Sequence, residues 1–222
     1  METENLLGKR GPKRPRMSKV VLTRMGIPEK LHDFDLADLN DQDLPERRKV
    51  IDYVIKYINN LDFAFDNNVG LYLYGANGVG KSTMASLIIR EAYRWRYKCK
   101  RCTFVEYINE LSKTWEAPKI GHWGEDDAES LFYLNYKAVD FLVIEELGKE
   151  NLNDMMIRSL EDLLRYREER GLPTIICSNL DTKLLEDRYG ASVFSLLVGN
   201  FQPIQVVGED LRFQIAKTLL EF

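Results

Sequence analysis

Residues 75 to 83 read Gly-Ala-Asn-Gly-Val-Gly-Lys-Ser-Thr and satisfy every fixed position of the pattern G-x-x-x-x-G-K-[ST]. In this pattern the glycines let backbone N–H groups turn towards phosphate oxygens, and the helix that follows points its positive end at the same place. The lysine reaches the β and γ phosphates, and the serine hydroxyl binds Mg²⁺. The predicted triphosphate cradle consists of Gly75, Ala76, Asn77, Gly78, Val79, Gly80, Lys81, Ser82 and Thr83, with Lys81 also a catalytic candidate and Ser82 a metal ligand.

Two adjacent glutamates, Glu145 and Glu146, end the apolar run FLVIEEL. Such a run is typical of a strand buried on both faces of a parallel sheet, and ligands bind at the carboxyl edge of such sheets. Beside a triphosphate cradle, we expect Glu145 to hold the Mg²⁺ shell and Glu146 to act as the general base that activates water. The alternative is a pair of solvated acids at a strand end.

A third apolar run, PTIICSN, ends in Ser178 and Asn179. We expect the Asn179 amide to lie between the two acids and the γ-phosphate, where it would position water and sense the bound nucleotide. The alternative is an asparagine that caps a turn.

The elements that would position these residues alternate between strands and helices. Predicted strands cover 69–74, 102–108, 139–147, 173–179 and 203–208, and predicted helices cover 46–61, 81–98, the region of 109–115, 127–136 and 153–171. This alternation predicts an α/β fold with a mostly parallel, five-stranded sheet flanked by helices.

The charge is unevenly distributed along the 222 residues, whose net charge is −4. Residues 1–19 contain six Lys or Arg and two Glu, so they carry +4 and the remainder carries about −8. We therefore predict a basic, disordered tail over 1–20 and a single catalytic domain over 21–222, with a small lid from about 180 onwards. The tail either meets nucleic acid or an acidic partner, or is simply solvated.

The sequence contains no apolar run long enough to cross a membrane and no apolar secretory segment, which predicts a cytoplasmic protein. Three cysteines do not form a disulfide framework. The pair Cys99 and Cys102 has C-x-x-C spacing, so it is either a metal or redox motif or two ordinary thiols.

The segments GIPEKLHDFDL, GANGVGKST, FLVIEELG, GLPTIICSN and VVGEDLR together resemble the AAA+ ATPases of the DnaC/DnaI-type helicase-loader group, which includes the helper ATPase of insertion-sequence transposases. The resemblance runs from about residue 26 to about 215. It implies a P-loop NTPase of the ASCE type. In such a sheet the phosphate-loop strand lies beside the acid strand, which carries Glu145 and Glu146, and beside the polar strand, which ends in Ser178 and Asn179. It also implies ATP and Mg²⁺, homo-oligomers on DNA, and a nucleotide-sensing arginine at Arg212.

Three departures from the family pattern have consequences. Glu145 stands where the family usually has Asp, and its longer side chain could slow hydrolysis because Mg²⁺ demands near-octahedral geometry. The arginine that usually reaches a neighbouring subunit is absent from FSLLVGN, which leaves Arg188 as the nearest substitute. Loaders usually have an N-terminal domain that grips the helicase, whereas about 20 residues precede the ATPase region here.

The resemblance thus implies an ATP-dependent DNA-replication accessory that binds single-stranded DNA and delivers or remodels a hexameric replicative helicase. Two alternatives stay open: a transposition helper on duplex DNA, and a nucleotide-gated scaffold that hydrolyses little ATP. The stretch REAYRWRYKCKR, residues 90–101, interleaves basic and aromatic residues. It predicts either a single-stranded DNA contact or a helix end with solvated cations.

Overall fold

Five parallel strands lie at the centre of the protein in the order β2-β3-β4-β1-β5. They are β1 (Gly70–Tyr74), β2 (Cys99–Thr103), β3 (Phe141–Leu147), β4 (Thr174–Ser178) and β5 (Phe201–Gln205). The structure is a computed structural model that describes residues 17–39, 44–116 and 127–210. The sheet confirms the predicted α/β fold class.

Helices cover both faces of this sheet. They are α1 (Lys19–Arg24), α2 (Pro45–Asn59), α3 (Leu61–Asp66), α4 (Lys81–Arg94), α5 (Phe104–Glu116), α6 (Ala128–Phe132), α7 (Asp154–Glu169) and α8 (Thr182–Asn200). Short 3-10 helices cover Glu29–Leu31 and Leu36–Asp38, and a π-helical turn, Tyr133–Lys137, extends α6. Within the described ranges, no helix has both the length and the apolar character needed to cross a bilayer.

Successive side chains of the central strands enter two separate cores, because strand side chains alternate between the faces of a sheet. One core lies against α1, α2 and α4 and the other against α5, α7 and α8. The first receives Leu71, Leu73, Phe141, Val143 and Ile175, and the second receives Tyr72, Leu142, Ile144 and Ile176. Burial on both faces explains why these strands are apolar without interruption.

The polar strand β4 separates the phosphate-loop strand β1 from the acid strand β3. The expectation that the phosphate-loop strand would lie beside both was therefore wrong for the acid strand. Ser178, at the end of β4, is in register with Tyr74 of β1 on one side and with Leu147 of β3 on the other. The ends of the three strands consequently form one edge of the sheet.

The second strand ends earlier than the sequence pattern indicated. Strand β2 stops at Thr103, and helix α5 begins at Phe104, within the stretch 102–108 that we predicted to be a strand. The Thr103 hydroxyl accepts a hydrogen bond from the Glu106 backbone N–H, and the Glu106 carboxylate accepts one from the Thr103 N–H. This reciprocal capping box starts the helix and overrides the β-propensity of Phe, Val and Tyr.

Both ends of the predicted domain differ in detail from the sequence interpretation. Helix α1 begins within the predicted tail, capped by Ser18, and Leu22 of that helix is buried in the core. The rest of the predicted tail, residues 1–16, lies outside the described residues. Within the predicted lid, β5 is an edge strand of the main sheet. Helix α8 was not predicted from the sequence, and Gly190 interrupts this helix with a non-helical φ of 86°.

Candidate functional site

The phosphate loop connects the end of β1 to the start of α4, as the motif predicts. Gly80 is the N-cap of α4 and has a φ of 99°, a left-handed conformation that favours glycine. Gly75 has a φ of 141°, and an added Cβ would lie 2.3 Å from the carbonyl oxygen of Val206. Because α4 begins immediately after the loop, the positive end of its dipole points at the loop.

The Lys81 side chain lies at the centre of the loop. Its Nζ donates hydrogen bonds to the carbonyl oxygens of Gly75, at 2.7 Å, and Ala76, at 2.6 Å. It also donates to Oδ1 of Asn179, at 2.9 Å. Lys81 is only 9% exposed, so its ammonium group is largely withdrawn from solvent and lies within the loop. The structure therefore places the Lys81 ammonium within the loop, and its contact with phosphate stays a prediction.

Asn179 joins the end of β4 to the phosphate loop. In addition to accepting from Lys81, its Nδ2 donates to Oδ1 of Asn77 at 3.0 Å. The Asn179 amide therefore contacts both the first half of the loop and the lysine that follows it. The structure brings together the polar strand end and the phosphate loop, whereas the position of the amide between the two acids and the γ-phosphate stays a prediction.

Ser82 and Glu145 form the pair expected at a metal site. The Ser82 hydroxyl donates to Oε2 of Glu145 at 2.5 Å, and Glu145 is 1% exposed. A hydroxyl and a carboxylate are oxygen donors of the kind that Mg²⁺ prefers, with waters and phosphates as its remaining ligands. Within the described residues, no group of three or more His, Cys, Asp or Glu side chains could hold a metal without such additional ligands. The donor set therefore fits Mg²⁺ that arrives with a nucleotide.

Glu146 has a different environment from its neighbour. Its backbone has a φ of 59°, a strained value for a glutamate, at an irregularity in the β3–β4 register between Ile144 and Leu147. Its carboxylate is 51% exposed and forms an ion pair with Lys149 at 2.7 Å. Of the two predicted acids, the structure therefore places Glu145 against the phosphate-loop helix and directs Glu146 towards solvent.

Two arginines that the sequence analysis did not assign to the nucleotide site contact its residues. Arg101, on β2, donates from Nε to Oε1 of Glu145 at 3.1 Å. Arg47, on α2, is 1% exposed and donates to the carbonyl oxygen of Val79 in the phosphate loop at 2.7 Å. No motif assigns either residue to this site, because the contacts join segments that are distant in the sequence.

Of the two arginines predicted to act on nucleotide, Arg188 lies within the described residues and Arg212 does not. Arg188 donates to the Glu150 carbonyl oxygen at 2.5 Å and lies 3.4 Å from the Glu150 carboxylate. The same carboxylate accepts from the Tyr189 hydroxyl and from the Gly148 backbone N–H. Arg188 is thus bonded within its own chain, in a network that follows the acid strand. Arg212 lies outside the described residues.

The basic and aromatic residues of 90–101 have separate structural contacts. Arg90 is buried and forms an ion pair with Asp35, and Arg94 forms one with Glu91. The Tyr97 ring packs against Phe65 and Phe141, while Arg101 contacts Glu145. These contacts support the alternative of a helix end over a continuous DNA-binding stripe, although Tyr93 and Trp95 are 39% and 48% exposed.

The cysteines have the environment of packed thiols. All three are free, and Cys102 and Cys177 are buried. Burial raises the pKa of Cys102 to about 12 and raises the pKa of both Cys99 and Cys177 well above the usual range. A raised pKa disfavours the thiolate that metal binding and redox exchange require. The described residues therefore favour packing over a zinc or redox motif for Cys99 and Cys102.

No family model matches the sequence. The replicative helicase loader DnaI of Bacillus subtilis (strain 168) is 24% identical over 157 residues, which cover 70% of this chain and 46% of that protein. The chain therefore spans about half the length of the curated relative that it matches.

Two solved structures share the fold. The DnaC helicase loader superposes with a TM-score of 0.68 at 18% identity, covering 81% of this chain and 100% of the other. The replication initiator DnaA bound to AMPPCP and single-stranded DNA superposes with a TM-score of 0.62 at 17% identity, covering 85% and 54%. These findings confirm the predicted fold and the predicted resemblance of the chain to the DnaC/DnaI-type helicase loaders.

Proposed function

We propose that this protein is an AAA+ ATPase that binds ATP with Mg²⁺ and serves DNA replication in the manner of a helicase loader. The observation that carries the proposal is the convergence of Lys81, Asn179, Ser82 and Glu145 at one edge of the sheet. A lysine inside a glycine loop supplies charge for phosphate, and the hydroxyl–carboxylate pair supplies oxygen ligands for a cation. A DnaA structure of the same fold binds AMPPCP, a nucleotide analogue.

Each residue would have a distinct part in the reaction. Lys81, the first residue of α4, would bind the β and γ phosphates, and Asn179 would position the attacking water beside it. Ser82 and Glu145 would hold Mg²⁺, which neutralises charge that develops on the phosphates. Glu146 would accept a proton from the water after leaving Lys149. That ion pair is exposed on both sides, so breaking it costs less than about 1 kcal/mol.

The partners follow from the resemblance. We propose that the protein assembles as a homo-oligomer on single-stranded DNA and delivers or remodels a hexameric replicative helicase in the cytoplasm. Support comes from the likeness to DnaI and DnaC, from the DnaA structure of the same fold with bound single-stranded DNA, and from the basic residues before Lys19.

A second candidate is a nucleotide-gated scaffold that binds ATP and assembles but hydrolyses it slowly. Two contacts favour it. The Glu146 carboxylate is paired with Lys149, and Arg188 is bonded to Glu150 of its own chain. Both residues would have to leave these partners before they could act on ATP or on a neighbouring subunit.

Binding and hydrolysis measurements separate these possibilities. We expect wild type to bind AMPPCP with Mg²⁺, and Lys81→Ala to bind at least about tenfold more weakly because a charge-assisted phosphate contact is lost. Lys183→Ala, which removes an exposed charge from α8, serves as the control. Steady-state ATPase of wild type and Glu146→Gln, with and without single-stranded DNA, then distinguishes an enzyme from a scaffold. Unchanged AMPPCP binding by Lys81→Ala would exclude the proposed site.

The partner is tested separately. We expect the protein to co-purify with the replicative helicase of its host and to prefer single-stranded over duplex DNA. Preference for duplex DNA together with no helicase in the purified complex would contradict the loader proposal while leaving the ATPase proposal intact.

A further inference from the structure

Arg101 lies between the carboxylate of the proposed metal site and the chain segment that precedes α2. Its Nε donates to Oε1 of Glu145 at 3.1 Å, and its Nη1 donates to the carbonyl oxygen of Gly26 at 2.8 Å. The two charged side chains are largely withdrawn from water, at 12% exposure for Arg101 and 2% for Glu145. The guanidinium is therefore a buried counter-ion for Glu145.

The backbone around Arg101 fixes this counter-ion in place. The Arg101 N–H donates to the carbonyl oxygen of Met25 at 2.7 Å, next to the bond that its side chain makes to Gly26. Gly26 has a φ of +84°, and an added Cβ would lie 2.0 Å from the Arg101 carbonyl oxygen. Met25 and Ile27 are each 3% exposed and belong to the core. The Arg101 backbone is therefore held against a packed segment, and its guanidinium lies between Gly26 and Glu145.

The second oxygen of Glu145 accepts from Ser82, so both oxygens of the carboxylate have partners. A buried carboxylate needs a compensating charge, and Arg101 supplies it from within the chain. A divalent cation bound through Ser82 and Glu145 would share that carboxylate with a fixed positive charge. Like charges this close, shielded from water, repel strongly.

We propose that Arg101 is a positioning residue that holds Glu145 and lowers the affinity of the nucleotide-loaded site for Mg²⁺. This inference rests on the proposed function, since it requires that Ser82 and Glu145 receive Mg²⁺ with ATP. Because coupling between two interactions is reciprocal, Mg²⁺ binding would also weaken the ion pair between Arg101 and Glu145. The metal site and the segment before α2 are thereby linked through one side chain.

The coupling is measured as a ratio of dissociation constants. AMPPCP binding is titrated by calorimetry in EDTA and again in excess Mg²⁺, and the ratio of the two Kd values reports how much Mg²⁺ strengthens binding. Arg101→Met removes the charge at similar length. We expect it to raise the ratio by about tenfold or more over wild type, the order expected for one unscreened charge beside a divalent cation.

Lys100→Met is the matched control. Lys100 is the neighbouring residue on β2, and its side chain lies on the other face of the strand, with Nζ 5.2 Å from the centre of the Tyr136 ring. It loses the same charge from the same strand, and we expect it to leave the ratio within about twofold of wild type. Arg101→Lys, which keeps a charge near Glu145, should remain close to wild type as well.

The outcomes are distinct. Arg101→Gln provides a second neutral variant that retains a donor for the Gly26 carbonyl oxygen, and thermal unfolding of every variant shows that it is folded. If both neutral variants have a ratio equal to or below that of wild type, the inference is wrong, and Arg101 serves to orient Glu145 or to hold the strand. If wild type binds AMPPCP in neither condition, the proposed nucleotide site is itself wrong and the role of Arg101 is lost with it.

Discussion

Substituting Gly26 with alanine tests the link between the segment before α2 and the strand that carries Arg101. At a φ of +84°, alanine costs about 1–2 kcal/mol relative to its preferred conformations. The new Cβ would also lie 2.0 Å from the Arg101 carbonyl oxygen, so the two backbones must separate. Separation breaks the bonds from Arg101 to Met25 and Gly26, each worth about 1 kcal/mol net. We expect a total loss of about 3–4 kcal/mol of unfolding free energy.

Gly171→Ala isolates the contribution of the close approach. Gly171 also has a left-handed φ, +63°, but nothing lies within 4 Å of the position its Cβ would take. We expect it to cost only the conformational term, about 1–2 kcal/mol. Urea unfolding followed by circular dichroism gives both values, and Gly26→Ala should exceed Gly171→Ala by about 2 kcal/mol, the two bonds lost. Equal losses, within about 0.5 kcal/mol, would refute the argument, because that difference is smaller than the net worth of one hydrogen bond.

Three further predictions concern other parts of the molecule. Cys102 and Cys177 should resist thiol labelling at pH 8 until the protein unfolds, and rapid labelling of the native protein would contradict their burial. Because folding raises the pKa of Cys102 from 9.0 to about 12, the contribution of this thiol to stability is present below pH 9 and is lost as the pH rises towards 12. Arg167→Met should cost at least about 3 kcal/mol of unfolding free energy, because Arg167 is 1% exposed and donates to four backbone carbonyl oxygens and one hydroxyl that would lose their partner. A loss below about 1 kcal/mol in urea unfolding would show that those acceptors find other donors. Lys149→Ala should change the free energy of unfolding by less than about 0.5 kcal/mol, since its ion pair with Glu146 is exposed. Glu146→Gln, by contrast, should abolish ATP hydrolysis while AMPPCP binding is retained, and equal hydrolysis rates in wild type and Glu146→Gln would remove Glu146 from the mechanism.

The part of the site carried by contiguous motifs could be predicted from the sequence. The loop between β1 and α4 is specified by glycines and a lysine in adjacent positions, and the acid strand ends where its apolar run ends. Local chemistry decides such features, so a short stretch contains the whole signal. The capping box of Thr103 and Glu106 also has a local signature, T-x-x-E, which is typical of the start of a helix such as α5.

Contacts between distant segments could not be predicted in this way. Arg47 bonds to carbonyl oxygens of Val79 and Val207, which lie 32 and 160 residues away. Arg101 reaches back 75 residues to Gly26. Every residue has a backbone carbonyl, so the sequence does not show which carbonyl groups an arginine binds. Such an arginine cannot be distinguished from a surface arginine until the tertiary structure is known. The strained backbone of Glu146 depends in the same way on the irregular pairing of β3 with β4.

The most direct test of the account is a crystal structure of the protein with Mg²⁺ and AMPPCP. We predict a γ-phosphate in contact with Nζ of Lys81 and near the Asn179 amide, and a metal ion at Ser82 and Glu145, with the phosphates enclosed by the loop from Gly75 to Gly80. An empty loop at saturating analogue, or a nucleotide bound away from Lys81, would contradict the central claim that this edge of the sheet binds a triphosphate.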